Sequence, residues 1–206
     1  MKIYFTRHGE SQANLLRTIS NRALAHGLTE VGRVQAARLA EHLQDRSITR
    51  IYTSPLRRAV ETASILAGRL QVEYEQVEGL REYDCGIAEG RSDEAAWQLW
   101  KEEYEAWTIN HDYDHHIEGG ESFHDVRQRF VPLITSLIST YAGTNLSVVC
   151  VSHGGIYSVM LPWIMHNVNP AMIMQYGFDY TSCVVAEDKA EGLTCVEWNS
   201  TPIPSG

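Results

Sequence analysis

Thr6-Arg7-His8-Gly9-Glu10-Ser11 follows a short apolar run, Ile3-Tyr4-Phe5, at the start of the chain. A histidine at the mouth of a strand, beside an arginine and ahead of a glycine-opened turn, is placed to attack phosphorus. The strand holds the imidazole and the arginine neutralises phosphate charge, while the glycine is expected to let backbone come close to the anion. A lone histidine is ordinarily structural. Two further segments behind later apolar runs change the balance: Thr53-Ser54-Pro55-Leu56-Arg57-Arg58-Ala59 and Val151-Ser152-His153-Gly154-Gly155.

The elements that must position these residues can be read from periodicity. Ser147-Val148-Val149-Cys150-Val151 is a continuous apolar run, as expected of a strand buried on both faces of a sheet, and Lys2 to Phe5 and Ile48 to Thr53 read the same way. Thr29 to Gln44 reads as a helix, with Thr29 as N-cap and Ala36, Leu39, Ala40 and Leu43 on one face. Ala59, Ala63, Leu66 and Leu70 make a second stripe. Val126, Phe130, Leu133, Leu137 and Tyr141 make a third, in which Pro132 predicts a kink or a later helix start. Strands alternating with helices predict an α/β fold, a three-layer α/β/α arrangement around a mainly parallel sheet. Ligands gather at the carboxyl ends of such strands, where the three segments would converge. Ser182 to Asp188 and Leu193 to Asn199 read as two strands joined by a short turn, and Pro202 to Gly206 as a frayed tail.

Taken together, these residues resemble the histidine phosphatase superfamily, whose best-known members are the cofactor-dependent phosphoglycerate mutases. The resemblance runs along nearly the whole chain. It takes in Asn14, Leu28-Thr29-Glu30 with Gly32 and Gln35-Ala36, Thr62-Ala63, Leu80-Arg81-Glu82, Glu89-Gly90 and Gly120-Glu121-Ser122. It implies two-step phosphoryl transfer through a phosphohistidine on His8. Arg7, Arg58 and His153 would hold the phosphoryl oxygens, and Asn14 would donate an amide hydrogen bond to them. Glu82 would be the general acid, then the base for water. Arg58 rather than Arg57 matches the family arginine, because it directly precedes the alanine. By family position, Ser20 and Gly154 are further substrate-binding candidates, Glu121 and Ser122 weaker rim candidates, and Glu89 a structural residue. The scheme implies no metal and no cofactor.

Composition sets bounds on partners. With 206 residues, one domain over 1–206 is expected, carrying a small helical cap insertion at about 85–122, the region that covers the active site in the resembled family. A net charge of −9 argues against nucleic-acid affinity, but not against a small phosphorylated metabolite met by a locally positive pocket. No apolar stretch reaches membrane-span length, and no charged-then-apolar leader precedes the first strand. Cys85, Cys150, Cys183 and Cys195 lack metal-like spacing, and Cys150 and Cys195 read as buried apolar residues. The expectation is a cytoplasmic monomer or homodimer without membrane contact.

Within the cap, Asp93 to Trp107 reads as an amphipathic helix whose Trp97, Trp100, Tyr104 and Trp107 are expected to form a packed face rather than a binding face. His111 to Glu118 is rich in possible metal ligands but lacks their regular spacing, and is expected to be a solvated loop rather than a metal site. The favoured function is a metal-independent, histidine acid-type phosphomonoesterase. A phosphoglycerate mutase is the first alternative. The resembled mutases are longer and carry, after the acid, a glycine-rich stretch ending in lysine and then an arginine pair. Here Asp93 to Glu118 holds one lysine, no arginine and eight acidic residues. That departure favours hydrolysis. The compact cap also resembles phosphatases acting on α-ribazole phosphate or phosphoserine, although Ala88 departs from the aromatic usual there. A non-catalytic phosphate-binding protein on the same fold is the remaining alternative.

Overall fold

Three apolar runs become the parallel heart of a seven-stranded sheet. In this computed structural model, which describes residues 1–22 and 25–203, the strands are β1 (Lys2–Arg7), β2 (Ile48–Thr53), β3 (Glu73–Gln76), β4 (Ser147–Ser152), β5 (Cys183–Lys189), β6 (Gly192–Trp198) and β7 (Thr201–Pro202). They lie in the order β3-β2-β4-β1-β5-β6-β7. The first four are mutually parallel, while β5, β6 and β7 each pair antiparallel with their neighbour. The helices are α1 (Gln12–Leu16), α2 (Glu30–Leu43), α3 (Arg57–Leu70), α4 (Glu94–Thr108), α5 (Phe123–Tyr141), α6 (Gly154–Ile164) and α7 (Pro170–Tyr176).

Both faces of the sheet are covered, as the unbroken apolar runs require. Tyr4, Val149 and Val151 face α2 and α3 through Leu39, Leu43, Ala63 and Leu66. Ile3, Phe5, Val148 and Cys150 face the opposite way, into a core shared by α5, α6 and the 85–122 segment. The result is the predicted three-layer α/β/α arrangement. Thr29 caps α2 by accepting the Gly32 N–H at 3.0 Å, and Asp93 caps α4 by accepting the Ala96 N–H. All four cysteines are buried and free.

Three elements differ from expectation. Pro132 lies inside one helix, α5, which begins at Phe123 and not later. Val126 and Phe130 before the proline, and Ile134 and Leu137 after it, are buried, so packing on both sides outweighs the lost backbone hydrogen bond. β3 has no apolar run because all four residues are exposed; it is a charged edge strand whose Glu73 and Glu75 pair with Arg50. At the expected frayed tail, Thr201 and Pro202 pair with β6, and 204–206 lie outside the described residues. Among the described residues, no helix is long and apolar enough to cross a membrane.

The 85–122 segment encloses one fully buried carboxylate. Glu103 of α4 accepts the Ile117 N–H at 3.0 Å through Oε1, so it ties the helix to the returning loop. Its Oε2 is buried and without a partner among the described residues. Burial above all, with the nearby carboxylates Asp84, Glu121 and Glu82, pushes its pKa up from 4.5 to about 8. A carboxyl group that holds its proton more tightly folded than unfolded loses stability as pH rises between those values. Glu103→Gln keeps the acceptor and removes the charge. Its stability relative to wild type should therefore increase from pH 5 to pH 8 in denaturant unfolding; a pH-independent difference would contradict this account.

Candidate active site

β1, β2 and β4 run parallel, so the segments leaving their carboxyl ends meet on one edge of the sheet. They line a cavity of about 500 Å³ that contains Arg7, His8, Asn14, Ser20, Arg58, Glu82, His153 and Gly154. Every residue expected to bind or act on phosphate is thus in one place.

His8 is nearly fully buried. Its Nδ1 lies 2.6 Å from the Gly9 carbonyl, and Arg58 Nε–H donates to its Nε2 at 3.1 Å. A carbonyl can only accept and a guanidinium can only donate, so the proton sits on Nδ1 and Nε2 carries the free lone pair. Burial, then the charges of Arg58 and Arg7, hold the His8 pKa well below its ordinary 6.5. The imidazole is neutral with the lone pair directed at the arginine.

Gly9 serves a different purpose from the one expected. Its N–H donates to Thr62 Oγ1 at 3.2 Å and is taken. A Cβ at Gly9 would come within 2.5 Å of the Gly32 carbonyl oxygen, and one at Gly32 within 2.0 Å of the Glu10 carbonyl oxygen. The glycine lets the loop pack against the start of α2. That packing sets the carbonyl that orients His8.

Arg58 is 5 % exposed and donates to the Ser20 carbonyl at 2.6 Å and to Asn21 Oδ1 at 3.4 Å. Burial lowers its pKa to about 10, leaving it charged near neutrality. Arg57 points outward to Glu61 at 2.7 Å, as the choice between the two arginines anticipated. Arg7 donates to the Phe178 carbonyl at 2.5 Å and lies 4.6 Å over the Tyr180 ring, and its buried Nε has no partner among the described residues. Asn14 accepts from Ser11 N and Oγ through Oδ1, which leaves its amide nitrogen as the donor. His153 Nε2 lies 2.7 Å from Ser54 Oγ, while its buried Nδ1 has no partner among the described residues. The two imidazole centroids are 5.1 Å apart.

Glu82 faces this group from the N-terminus of α6. Its Oε1 accepts the Tyr83 and Ile156 N–H groups, and its Oε2 accepts the Gly155 N–H at 2.9 Å. Burial is the largest influence on it and outweighs Arg58 and these three donors, so the pKa rises above 4.5. A Cβ on Gly155 would lie 2.7 Å from Glu82 Oε2, whereas one on Gly154 would lie 3.5 Å from Arg7. The steric demand therefore falls on Gly155, the neighbour of the glycine singled out in the sequence.

Several expectations are corrected. Glu121 binds Arg129 and the Asp84 N–H, and Ser122 caps α5; neither lines the cavity. Trp107 packs against Tyr83 and Phe123, and Trp97, Trp100 and Tyr104, packed against the same core, also line the cavity. Helical spacing places the four rings on neighbouring faces and does not tell core from cavity. Asn21, Phe178 and the Ser54 hydroxyl were not singled out. Only Ser54, inside the arginine segment, carried a local signal. Glu89 accepts the N–H groups of Asn21 and Arg22, in keeping with a structural position. Among the described residues, no group of three or more His, Cys, Asp or Glu is arranged to hold a metal ion, and no residue of 111–118 lines the cavity.

The model of the histidine phosphatase superfamily (branch 1) matches residues 3–201. The chain belongs to that superfamily. It is 34% identical over 165 residues to 6-phosphofructo-2-kinase/fructose-2,6-bisphosphatase from Gallus gallus, covering 79% of this chain but 32% of that protein. The chain thus spans about a third of the length of such two-activity relatives. It is 32% identical over 157 residues to the probable phosphoglycerate mutase GpmB from Salmonella choleraesuis (strain SC-B67), covering 75% of this chain and 70% of that one. In three dimensions it is similar to the α-ribazole phosphatase from Shigella flexneri, with a TM-score of 0.78, 28% identity and full coverage of both chains.

In a histidine phosphatase with this geometry, the tautomer is open to direct measurement. Nitrogen-15 NMR should find His8 neutral at pH 6.5, protonated at Nδ1 and bare at Nε2. An imidazolium at that pH, or a proton on Nε2, would contradict the assignment.

Proposed function

We propose that this chain is a metal-independent phosphomonoesterase that hydrolyses a small phosphorylated metabolite through a phosphohistidine. The observation that carries the reading is the pairing of a buried neutral imidazole, bare at Nε2, with a buried carboxyl group whose pKa is raised. Two groups in one cavity are pushed toward opposite acid–base roles.

His8 Nε2 attacks phosphorus as the P–O bond to the alcohol breaks, and the Glu82 proton passes to the departing oxygen. Arg58 turns its Nε–H from His8 to the phosphoryl oxygens. The unpartnered Arg7 Nε–H and the Asn14 amide supply further donors. With Ser54 donating to Nε2, His153 carries its proton on Nδ1 and offers it to the same oxygens. Glu82, now a carboxylate, takes a proton from water, which attacks phosphorus and releases His8 and inorganic phosphate. The backbone donors around Glu82 hold the carboxyl in place through both steps. Ser20 acts through its carbonyl, which aims Arg58, and the 85–122 segment is the cap.

The likeness to a probable phosphoglycerate mutase supports a second reading, in which the cap retains the acceptor and the phosphoryl group returns to a sugar acid. Among the described residues, the cavity lining holds no lysine and no arginine beyond Arg7 and Arg58, which disfavours an acceptor carrying its own carboxylate. Release of inorganic phosphate without interconversion of 2- and 3-phosphoglycerate separates the two.

Brief incubation with substrate should leave an acid-labile, base-stable phosphoryl group on His8, and His8→Ala should abolish turnover; full activity in that variant would overturn the mechanism. Arg58→Ala should cost at least about tenfold more activity than Arg57→Ala, since contacts to developing oxyanion charge are worth ~2.7–4 kcal/mol.

Glu82→Gln places an amide NH₂ against backbone donors, so every substrate should suffer from misplacement. The loss of the proton should add to this only where the leaving group needs one. Hydrolysis of alkyl phosphates should therefore fall much further than that of p-nitrophenyl phosphate. Equal losses would remove the general-acid role.

A further inference from the structure

The cavity is far larger than a phosphoryl group needs, and its size suits a small organic molecule. Arg7, His8, Asn14, Arg58, Glu82 and His153 are the lining groups assigned above to the phosphoryl chemistry. Part of the remaining wall is aromatic: Trp97, Trp100 and Tyr104 of α4 line it together with Phe178. The three α4 rings are half-buried, so the protein leaves part of each uncovered. Trp100 and Tyr104 stack with centroids 5.5 Å apart and planes within 9°. Trp97 meets Trp100 edge-on at 5.9 Å and is pinned by its Nε1–H to the Arg17 carbonyl at 2.9 Å. The three rings form a corner held in place by their mutual contacts.

Charge narrows the ligand further. The charged side chains of the lining other than histidine are Arg7, Arg58 and Glu82, and the phosphoryl chemistry above occupies all three. Among the described residues of this lining, a second phosphate or a carboxylate on the alcohol would find no further cation. An uncharged ring would instead cover the exposed aromatic surface in offset-stacked or edge-to-face contact.

We propose that the α4 corner is a ring-binding subsite, and that the substrate is a monoester whose alcohol carries an uncharged aromatic or heterocyclic ring. This rests on the phosphatase reading of the same cavity, and it places the ring on Trp100 while the phosphoryl group lies on His8. Trp97 and Tyr104 hold the Trp100 indole at the required angle.

Non-hydrolysable phosphonates separate the subsite from the chemistry. Calorimetric titration of the wild-type protein should find phenylphosphonate bound at least about tenfold more tightly than methylphosphonate, as expected for one stacked ring. 3-Phosphonopropionate, with its carboxylate, should bind no better than methylphosphonate. Trp100→Ala should abolish the phenyl preference, and Trp100→Phe should keep most of it. Equal affinity for phenyl- and methylphosphonate, tighter binding of the carboxylate compound, or a preference that survives Trp100→Ala would overturn the proposal. If that variant fails to fold, the wild-type series alone decides. A ring preference without phosphate release from any monoester would remove the reaction and keep the subsite. Phosphate release without a ring preference would remove the subsite and keep the reaction.

Discussion

The hydrogen bond between His8 Nδ1 and the Gly9 carbonyl, at 2.6 Å, governs the rest of the site. A buried imidazole with two equivalent nitrogens would have no defined nucleophilic atom. Binding the proton on Nδ1 makes Nε2 the free one and directs it into the cavity. That bond depends on where Gly9 lies, and Gly9 lies where it does because two backbones, at Gly9–Glu10 and Gly32, approach more closely than any side chain would permit. The packing of α2 against the loop is thus a condition for the chemistry, although no atom of α2 lines the cavity.

Electrostatics then divides the roles. Burial disfavours charge on every ionisable group in the site, so His8 and His153 stay neutral and Glu82 tends to keep its proton. Arg58 pays part of the same penalty yet remains a cation, because a guanidinium begins from so high a pKa. One environment therefore favours a neutral imidazole at His8 and raises the pKa of the Glu82 carboxyl, while two cations stay fixed beside them. Glu82 is held between opposing influences: burial raises its pKa, while Arg58 and three backbone N–H donors lower it. A group balanced in this way can give up a proton in one step and recover it in the next without moving.

The 85–122 segment gives the chain its individual character. Its helix α4 is anchored from within by Trp107, packed on Tyr83 and Phe123, and by Glu103, which holds the returning loop. The same arc of the helix also presents Trp97, Trp100 and Tyr104 to the cavity. The part of the cavity around His8 is built from the sheet, and α4 contributes Trp97, Trp100 and Tyr104 to its wall. The two can vary independently, which is consistent with one superfamily holding relatives named for different substrates.

By itself, the sequence determined what local pattern can determine. Apolar runs declared β1 and β4 as strands buried on both faces, while β2 is buried only from Ile51 to Thr53, and the residues at the strand ends declared His8, Arg58 and His153. Thr29 and Asp93 announced helix starts, and family position pointed to Glu82 and Asn14. β3 stayed hidden because an exposed edge strand needs no apolar residues, and α5 runs through Pro132 because buried residues on both sides hold it. Only the tertiary structure decided why Gly9 must be glycine, that Gly155 rather than Gly154 is sterically required, and that Asn21, Ser54 and the Phe178 carbonyl orient the arginines and His153. It also decided that Trp97, Trp100 and Tyr104 face a cavity. The physical reason is the same in each case. Helical or strand periodicity records which side of an element is apolar or which end carries a functional group, whereas what lies opposite belongs to another part of the chain and exists only once the two are packed.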